Sequence, residues 1–123
     1  MKPFILMELA LFLSFGICYY GLSFTEIQTH ENVHGQIQKY YGCTNSTIYY
    51  QFHMLYFSGN STCHHYDDRT QETQNVEYNL HSMNDIAGYN ITSITNTIFV
   101  CCFGIVLVIS LFGFLILEKV EYQ

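Results

Sequence analysis

The chain has 123 residues, of which 50% are hydrophobic and 11% charged, and it carries a formal net charge of −6 at pH 7. That is one domain's length of sequence, too apolar for an ordinary soluble domain of this size, so part of it is expected in a lipid bilayer. Four Lys and Arg residues in all exclude nucleic acid and anionic lipid headgroups as partners, since both require clustered cations.

The first stretch, MKPFILMELALFLSFGICYYGLSF, opens with Lys2, continues through apolar residues from Leu9 to Cys18, and offers Gly21 and Ser23 as small residues before a cut. Residues 1–23 therefore read as a cleavable secretory signal. An uncleaved anchor is the alternative: Phe4 to Phe24 is long enough to span a bilayer, with Glu8 as its only charge and Tyr19 and Tyr20 suited to a membrane interface. Either way, residues 24–97 reach the lumenal or extracellular side. They hold seven acidic side chains against Lys39 and Arg69.

After the first stretch, Phe24, Ile27, Ile37 and Tyr41 fit a helical stripe loosely, which suggests a short helix or an extended arm. His30 and His34, four residues apart, would share one face of such a helix, a geometry that suits zinc or copper. With no HExxH and no Cys-x-x-Cys in the chain, no metal ligand and no cofactor is assigned. All six histidines lie outside the apolar runs, and a pH-responsive surface is the better motivated role for them.

GCTNSTIYYQFHMLYFSGNSTCHH follows, residues 42–65. Cys43 and Cys63 are the only cysteines between the apolar runs, in an oxidising compartment. Pairing them closes a loop of about 20 residues and should stabilise a small domain by roughly 3 kcal/mol. Ile48, Tyr50, Phe52, Met54 and Tyr56 alternate with Tyr49, Gln51, His53, Leu55 and Phe57 as a strand, Ser58-Gly59-Asn60 reads as the turn, and Ser61 to Tyr66 as the returning strand. Three Asn-x-Ser/Thr sequons, at Asn45, Asn60 and Asn90, mark N-glycosylation sites. Tyr49, Tyr50, Phe52, Tyr56 and Phe57 form a candidate protein-binding face, because aromatic side chains supply large contact area at modest entropy cost.

Beyond a polar loop, DDRTQET, the residues Val76, Tyr78 and Leu80 alternate with polar neighbours as a half-buried strand, and Asn84 to Thr97 reads as a stalk or a last strand. Ile98 to Leu117 has no charge and no proline, and at about 1.5 Å per residue covers a bilayer core of about 30 Å as one helix. Cys101 and Cys102 near its start are apolar filler or sites of acylation or interchain pairing. Residues 118–123 form a short cytosolic tail.

Ser58, His64 and Asp67 have no nucleophile-elbow context and no phosphate loop accompanies them, so no catalytic residue is assigned and an enzyme is not expected. The expected fold is a small β-rich, disulfide-stapled lumenal or extracellular domain on a single C-terminal transmembrane helix. The expected function is that of a single-pass type I membrane glycoprotein that binds a protein partner, a receptor or another membrane or envelope protein, with oligomers forming through the transmembrane helix. In outline this layout resembles the small accessory or envelope glycoproteins of viruses; the resemblance rests on architecture and transfers no site residue. The alternative is a two-span hairpin that keeps residues 1–23, places Glu8 in the bilayer, and forms or modulates an ion channel.

Overall fold

The computed structural model describes residues 2–53 and 56–121. They form four elements in the order helix, strand, strand, helix: α1 Lys2–Tyr40, β1 Cys43–Phe52, β2 Phe57–Tyr66 and α2 Gln71–Glu121. The β-rich expectation is overturned. The helices hold 39 and 51 residues, whereas the sheet has only two strands of 10 residues each. A single C-terminal membrane helix is likewise replaced by two, since α1 and α2 are both long and apolar enough to cross a bilayer.

Residues 24–40 are helical because Glu26, Gln28, Gln36, Gln38 and Lys39 are good helix formers with no proline among them. The helix stops at Gly42, whose φ of +88° is the left-handed conformation that only glycine adopts at little cost. Its N–H bonds back to the Lys39 carbonyl at 3.2 Å, and its own carbonyl accepts from Asp67 N–H at 3.0 Å. The same glycine thus ends α1 and ties in the residue that follows β2. At the start of α2, Thr70 caps the helix through Oγ1, which accepts from Thr73 N–H at 3.2 Å, and Glu72 in the first turn complements the helix dipole.

The strands pair antiparallel from Phe52 opposite Phe57 back to Cys43 opposite Tyr66, with irregularity around Asn45. β1 therefore ends at Phe52 and β2 begins at Phe57, and between them His53 N–H donates to the Tyr56 carbonyl at 2.8 Å. Ser58, Gly59 and Asn60, expected as the turn, are strand residues opposite Gln51, Tyr50 and Tyr49. Gly59 is a glycine for packing: a Cβ there would come within 2.5 Å of Glu31 Cγ and 3.0 Å of Ile27 Cγ2. Met54 and Leu55 lie outside the described residues. The Cys43–Cys63 disulfide closes the open end of the hairpin, with the Cα atoms 6.0 Å apart.

The stretch expected as a second strand, Val76 to Leu80, is helical, and so is Asn84 to Thr97. Val76, Tyr78 and Leu80 are exposed, and the covered positions are Thr73, Glu77, His81, Asn84 and Gly88, which recur every three to four residues. The inward stripe of α2 is polar, so apolar alternation pointed to the wrong period.

The chain divides into two units, residues 1–19 with 93–123 and residues 20–92. In the first, α1 and α2 meet through rings: Phe12 and Phe103 lie 5.4 Å apart, Phe15 and Phe99 4.8 Å, and Tyr19 and Phe99 4.6 Å. In the second, the hairpin lies along α1. Gly35 faces Ile48, Gln38 Nε2 donates to the Ser61 carbonyl, and Ser61 Oγ donates back to Gln38 Oε1, each at 3.1 Å. Among the described residues the side chains with the least exposure are Glu31, Gln38, Glu77 and Cys43, so this unit has a polar interior and depends on its covalent link. Two consequences are measurable by thermal unfolding in micelles. Replacing both Cys43 and Cys63 by Ala should cost roughly 3 kcal/mol, and Gly59→Ala, which forces Glu31 and Ile27 aside, about 1–3 kcal/mol.

Candidate functional site

Within the polar interior of residues 20–92, a connected series of side chains runs from Glu77 to His30. At one side, Glu77, only 5% exposed, is held by three groups. Tyr66 donates its hydroxyl to Glu77 Oε1 at 2.6 Å, Arg69 Nη1 pairs closely with Oε2, and His81 Nε2 lies 3.6 Å from Oε1. The Arg69 guanidinium also stacks on the Tyr66 ring, 3.3 Å from its centre, so the end of β2, the linker and α2 are fixed around one carboxylate. Burial pushes the Tyr66 hydroxyl up to about 12, aided by its hydrogen bond to Glu77 and opposed by Arg69.

His81 carries the network across to α1. Its Nδ1 is 2.5 Å from Nδ1 of His34, and the two rings stack with their centres 4.7 Å apart. On the far side of the His34 ring, Nε2 lies 3.1 Å from His30 Nε2 and 2.9 Å from Asp85 Oδ1, and His30 Nε2 is 3.3 Å from the same oxygen. The spacing of four that places His30 and His34 on one face of α1 thus brings both imidazoles onto one carboxylate of α2. Asn84 Nδ2 donates to the His30 carbonyl at 3.2 Å and stands 3.3 Å from His30 Nδ1. Gly88, one turn beyond Asp85, leaves room for the ring: a Cβ there would meet His30 Nδ1 at 2.5 Å. Burial, with the neighbouring His30, holds His34 below the usual imidazole range, against the opposing pull of Asp85. His30, Asn84, Asp85 and Gly88 line a cavity of about 530 Å³ together with Thr25 and Thr29.

A second polar contact sits in the other unit, among apolar residues. Glu8 Oε2 accepts from Ser110 Oγ at 2.5 Å, and Tyr19 donates its hydroxyl to Asn96 Oδ1 at 3.0 Å.

The sequence-expected sites are distributed differently. Asn45, Asn60 and Asn90 are all exposed, the first two on the hairpin and the third on α2. The five aromatics proposed as one binding face divide. Tyr50, Phe52 and Phe57 turn toward α1, with ring centres 5.8 Å from Phe24, 6.1 Å from Tyr20 and 5.2 Å from Phe24 respectively. Tyr56 stacks on His53, and Tyr49, Tyr50, Phe52 and Tyr56 all remain exposed, with only Phe57 half-buried. His64 bonds to Thr47 across the strands, away from the other histidines, and Ser58 Oγ is bonded to His53 rather than to His64. Sequence reasoning saw the His30 and His34 pair but missed His81, Asn84 and Asp85. Their spacing fits one helical face, and reading 76–80 as a strand hid it.

No protein-family model, curated protein or solved structure matches the chain.

Two measurements probe the network. Arg69→Ala leaves the buried Glu77 carboxylate without its cation and should lower stability by about 3–5 kcal/mol. Since the folded state raises the Tyr66 pKa from 10.0 to about 12, the stability this residue contributes is fully present below pH 10 and lost as pH rises through about 12. Tyr66→Phe should abolish that alkaline component in pH-dependent thermal unfolding, and with it the latest-ionising fraction of tyrosinate absorbance.

Proposed function

We propose that the chain is a two-span membrane hairpin that retains residues 1–23, exposes residues 25–97 on the lumenal or extracellular side, and works by lateral assembly that forms or modulates an ion channel. The observation that carries this reading is the pairing of an acid with a hydroxyl between two apolar helices, Glu8 with Ser110. An acid in that setting is costly unless it has a partner, and where one persists it usually lines an ion or proton path.

Retention of the first stretch is supported by what its residues hold. Phe12, Phe15 and Tyr19 meet Phe103 and Phe99 in sequence along the two helices. Tyr20 packs against Phe52 and Phe57 of the hairpin, at 6.1 and 6.0 Å. A cut after Ser23 would remove all of these partners. Tyr20, Phe24, Phe52 and Phe57, gathered within the unit of residues 20–92, are the kind of aromatic cluster that favours a bilayer interface. On this reading the three sequons face an oxidising, glycosylating compartment, as the disulfide requires. The rival, a cleaved type I glycoprotein that binds a partner through its ectodomain, would have to fill the positions of Tyr20 and the first span by other means.

The test has two parts. The full chain, expressed with a C-terminal tag and enzymatically deglycosylated, should show an intact mass that includes residues 1–23. Reconstituted in planar bilayers, alone or with a co-expressed channel, it should give currents that Glu8→Gln alters in conductance or ion selectivity. A mature mass lacking about 23 residues would overturn the two-span reading. Currents indifferent to Glu8→Gln would remove the acid from the path.

A further inference from the structure

We propose that His30, His34 and Asp85 form a binding site for a single divalent transition-metal ion of the zinc class. Nε2 of each imidazole and Oδ1 of the carboxylate, which lie within 4.8 Å of one another, would serve as its ligands.

The geometry is specific in three respects. The ligand atoms form a near-equilateral triangle with edges of 3.1, 2.9 and 3.3 Å. An ion held at metal–nitrogen and metal–oxygen distances of about 2.0–2.1 Å in a tetrahedron sets its ligands about 3.3 Å apart, so the triangle is one face of such a site with little adjustment. Two nitrogens and a carboxylate oxygen are a donor set for zinc and its neighbours, and not for calcium or magnesium, which prefer oxygen throughout.

Second, the other nitrogen of the His34 ring has a neighbour that suits a ligating imidazole. His81 Nε2 lies 3.6 Å from Glu77 Oε1, and His81 Nδ1 stands 2.5 Å from His34 Nδ1. With the proton of His34 on Nδ1 this pair hydrogen-bonds, and the lone pair of His34 Nε2 is turned to His30 and Asp85, the tautomer that a bound metal selects. A carboxylate that orients a ligating imidazole through its second nitrogen is the usual support of a metal site; here the orientation passes through one further histidine. The His30 imidazole binds once its proton sits on Nδ1, beside the Asn84 side chain.

Third, His34 Nε2 and Asp85 Oδ1 lie 2.9 Å apart, at hydrogen-bond distance, and an ion at the centre of the triangle would take the place of the proton between them with little movement of either atom. Asp85 is 62% exposed while His34 is only 12% exposed. The site is therefore reachable from solvent on the carboxylate side and rigid on the imidazole side. His30 and Asp85 line the 530 Å³ cavity, which leaves space for a water or a small ligand at a fourth position. The proposal rests on residues 20–92 alone and stands whether the chain crosses the membrane once or twice.

The experiment uses the full chain with a tag free of histidine, purified in detergent, stripped with chelator and titrated with Zn²⁺ by calorimetry and with Co²⁺ by visible absorption. One ion per chain is expected, with a rise in melting temperature. Asp85→Asn, at an exposed position that leaves the fold intact, should lose the Co²⁺ band and weaken Zn²⁺ binding by more than about tenfold, and His81→Ala should weaken it by about 10–100-fold. His34→Ala should abolish binding, and a double His64→Ala, His65→Ala variant should bind as the natural sequence does. Failure of the natural chain to bind one ion, or binding that survives Asp85→Asn and falls in the His64, His65 variant, would overturn the proposal.

Discussion

The unit of residues 20–92 is organised around a buried carboxylate. Glu77 is 5% exposed, and a carboxylate out of water is tolerated only when paired and fully hydrogen-bonded. Tyr66, Arg69 and His81 supply those partners from β2, the linker and α2. Because each partner comes from a different segment, satisfying one carboxylate fixes the end of the hairpin against the start of the second helix. The remaining polar seam, His81 to His34 to His30 and Asp85, extends that constraint to α1. A unit of this size cannot surround a large hydrophobic core. Its specificity comes instead from directional contacts and from the Cys43–Cys63 link, which limits the unfolded chain.

Close approach of backbones makes the seam possible. Gly35 and Gly59 let the hairpin lie against α1, and Gly88 lets the His30 ring lie against α2. At each of these positions a methyl group would displace a neighbour that the network or the packing uses. Glycine within a helix costs stability by itself, so its placement at Gly35 and Gly88 is offset by contacts that no larger residue would allow.

The apolar unit obeys a different constraint. In lipid the hydrophobic effect does not drive one helix onto another, and association relies on packing and on hydrogen bonds between helices. Rings of Phe12, Phe15, Tyr19, Phe99 and Phe103 provide the first and Glu8 with Ser110 the second, with Tyr19 bonded to Asn96 at the edge of the apolar stretches. Ser14 returns its hydroxyl to the Ala10 carbonyl one turn back, at 2.8 Å, which satisfies that donor within its own helix. An assembly role built on Glu8 and a metal role built on His34 use separate units, and each can operate without the other.

The sequence showed the apolar stretches, the hairpin and its disulfide, but not the architecture, which is mostly helical rather than β-rich. Length and hydropathy determined the two apolar stretches, because desolvating about 20 consecutive residues dominates every other term. Two cysteines between the apolar stretches indicated their partner, and β-branched and aromatic residues marked the hairpin. The turn was misplaced because Ser58-Gly59-Asn60 has turn chemistry, while Gly59 is glycine for the sake of Glu31 and Ile27 across the interface. Residues 76–97 were misread because hydrophobic periodicity assumes an apolar inner face, and here the inner face is Thr73, Glu77, His81, Asn84 and Gly88. The sequence by itself determined the two apolar stretches, the Cys43–Cys63 pair and the His30 and His34 spacing, because each is local in the chain or unique by composition. Only the tertiary structure decided that His30, His34, His81 and Asp85 converge, since their meeting depends on two helices facing each other across 51 residues of sequence, a relation that local pattern cannot encode.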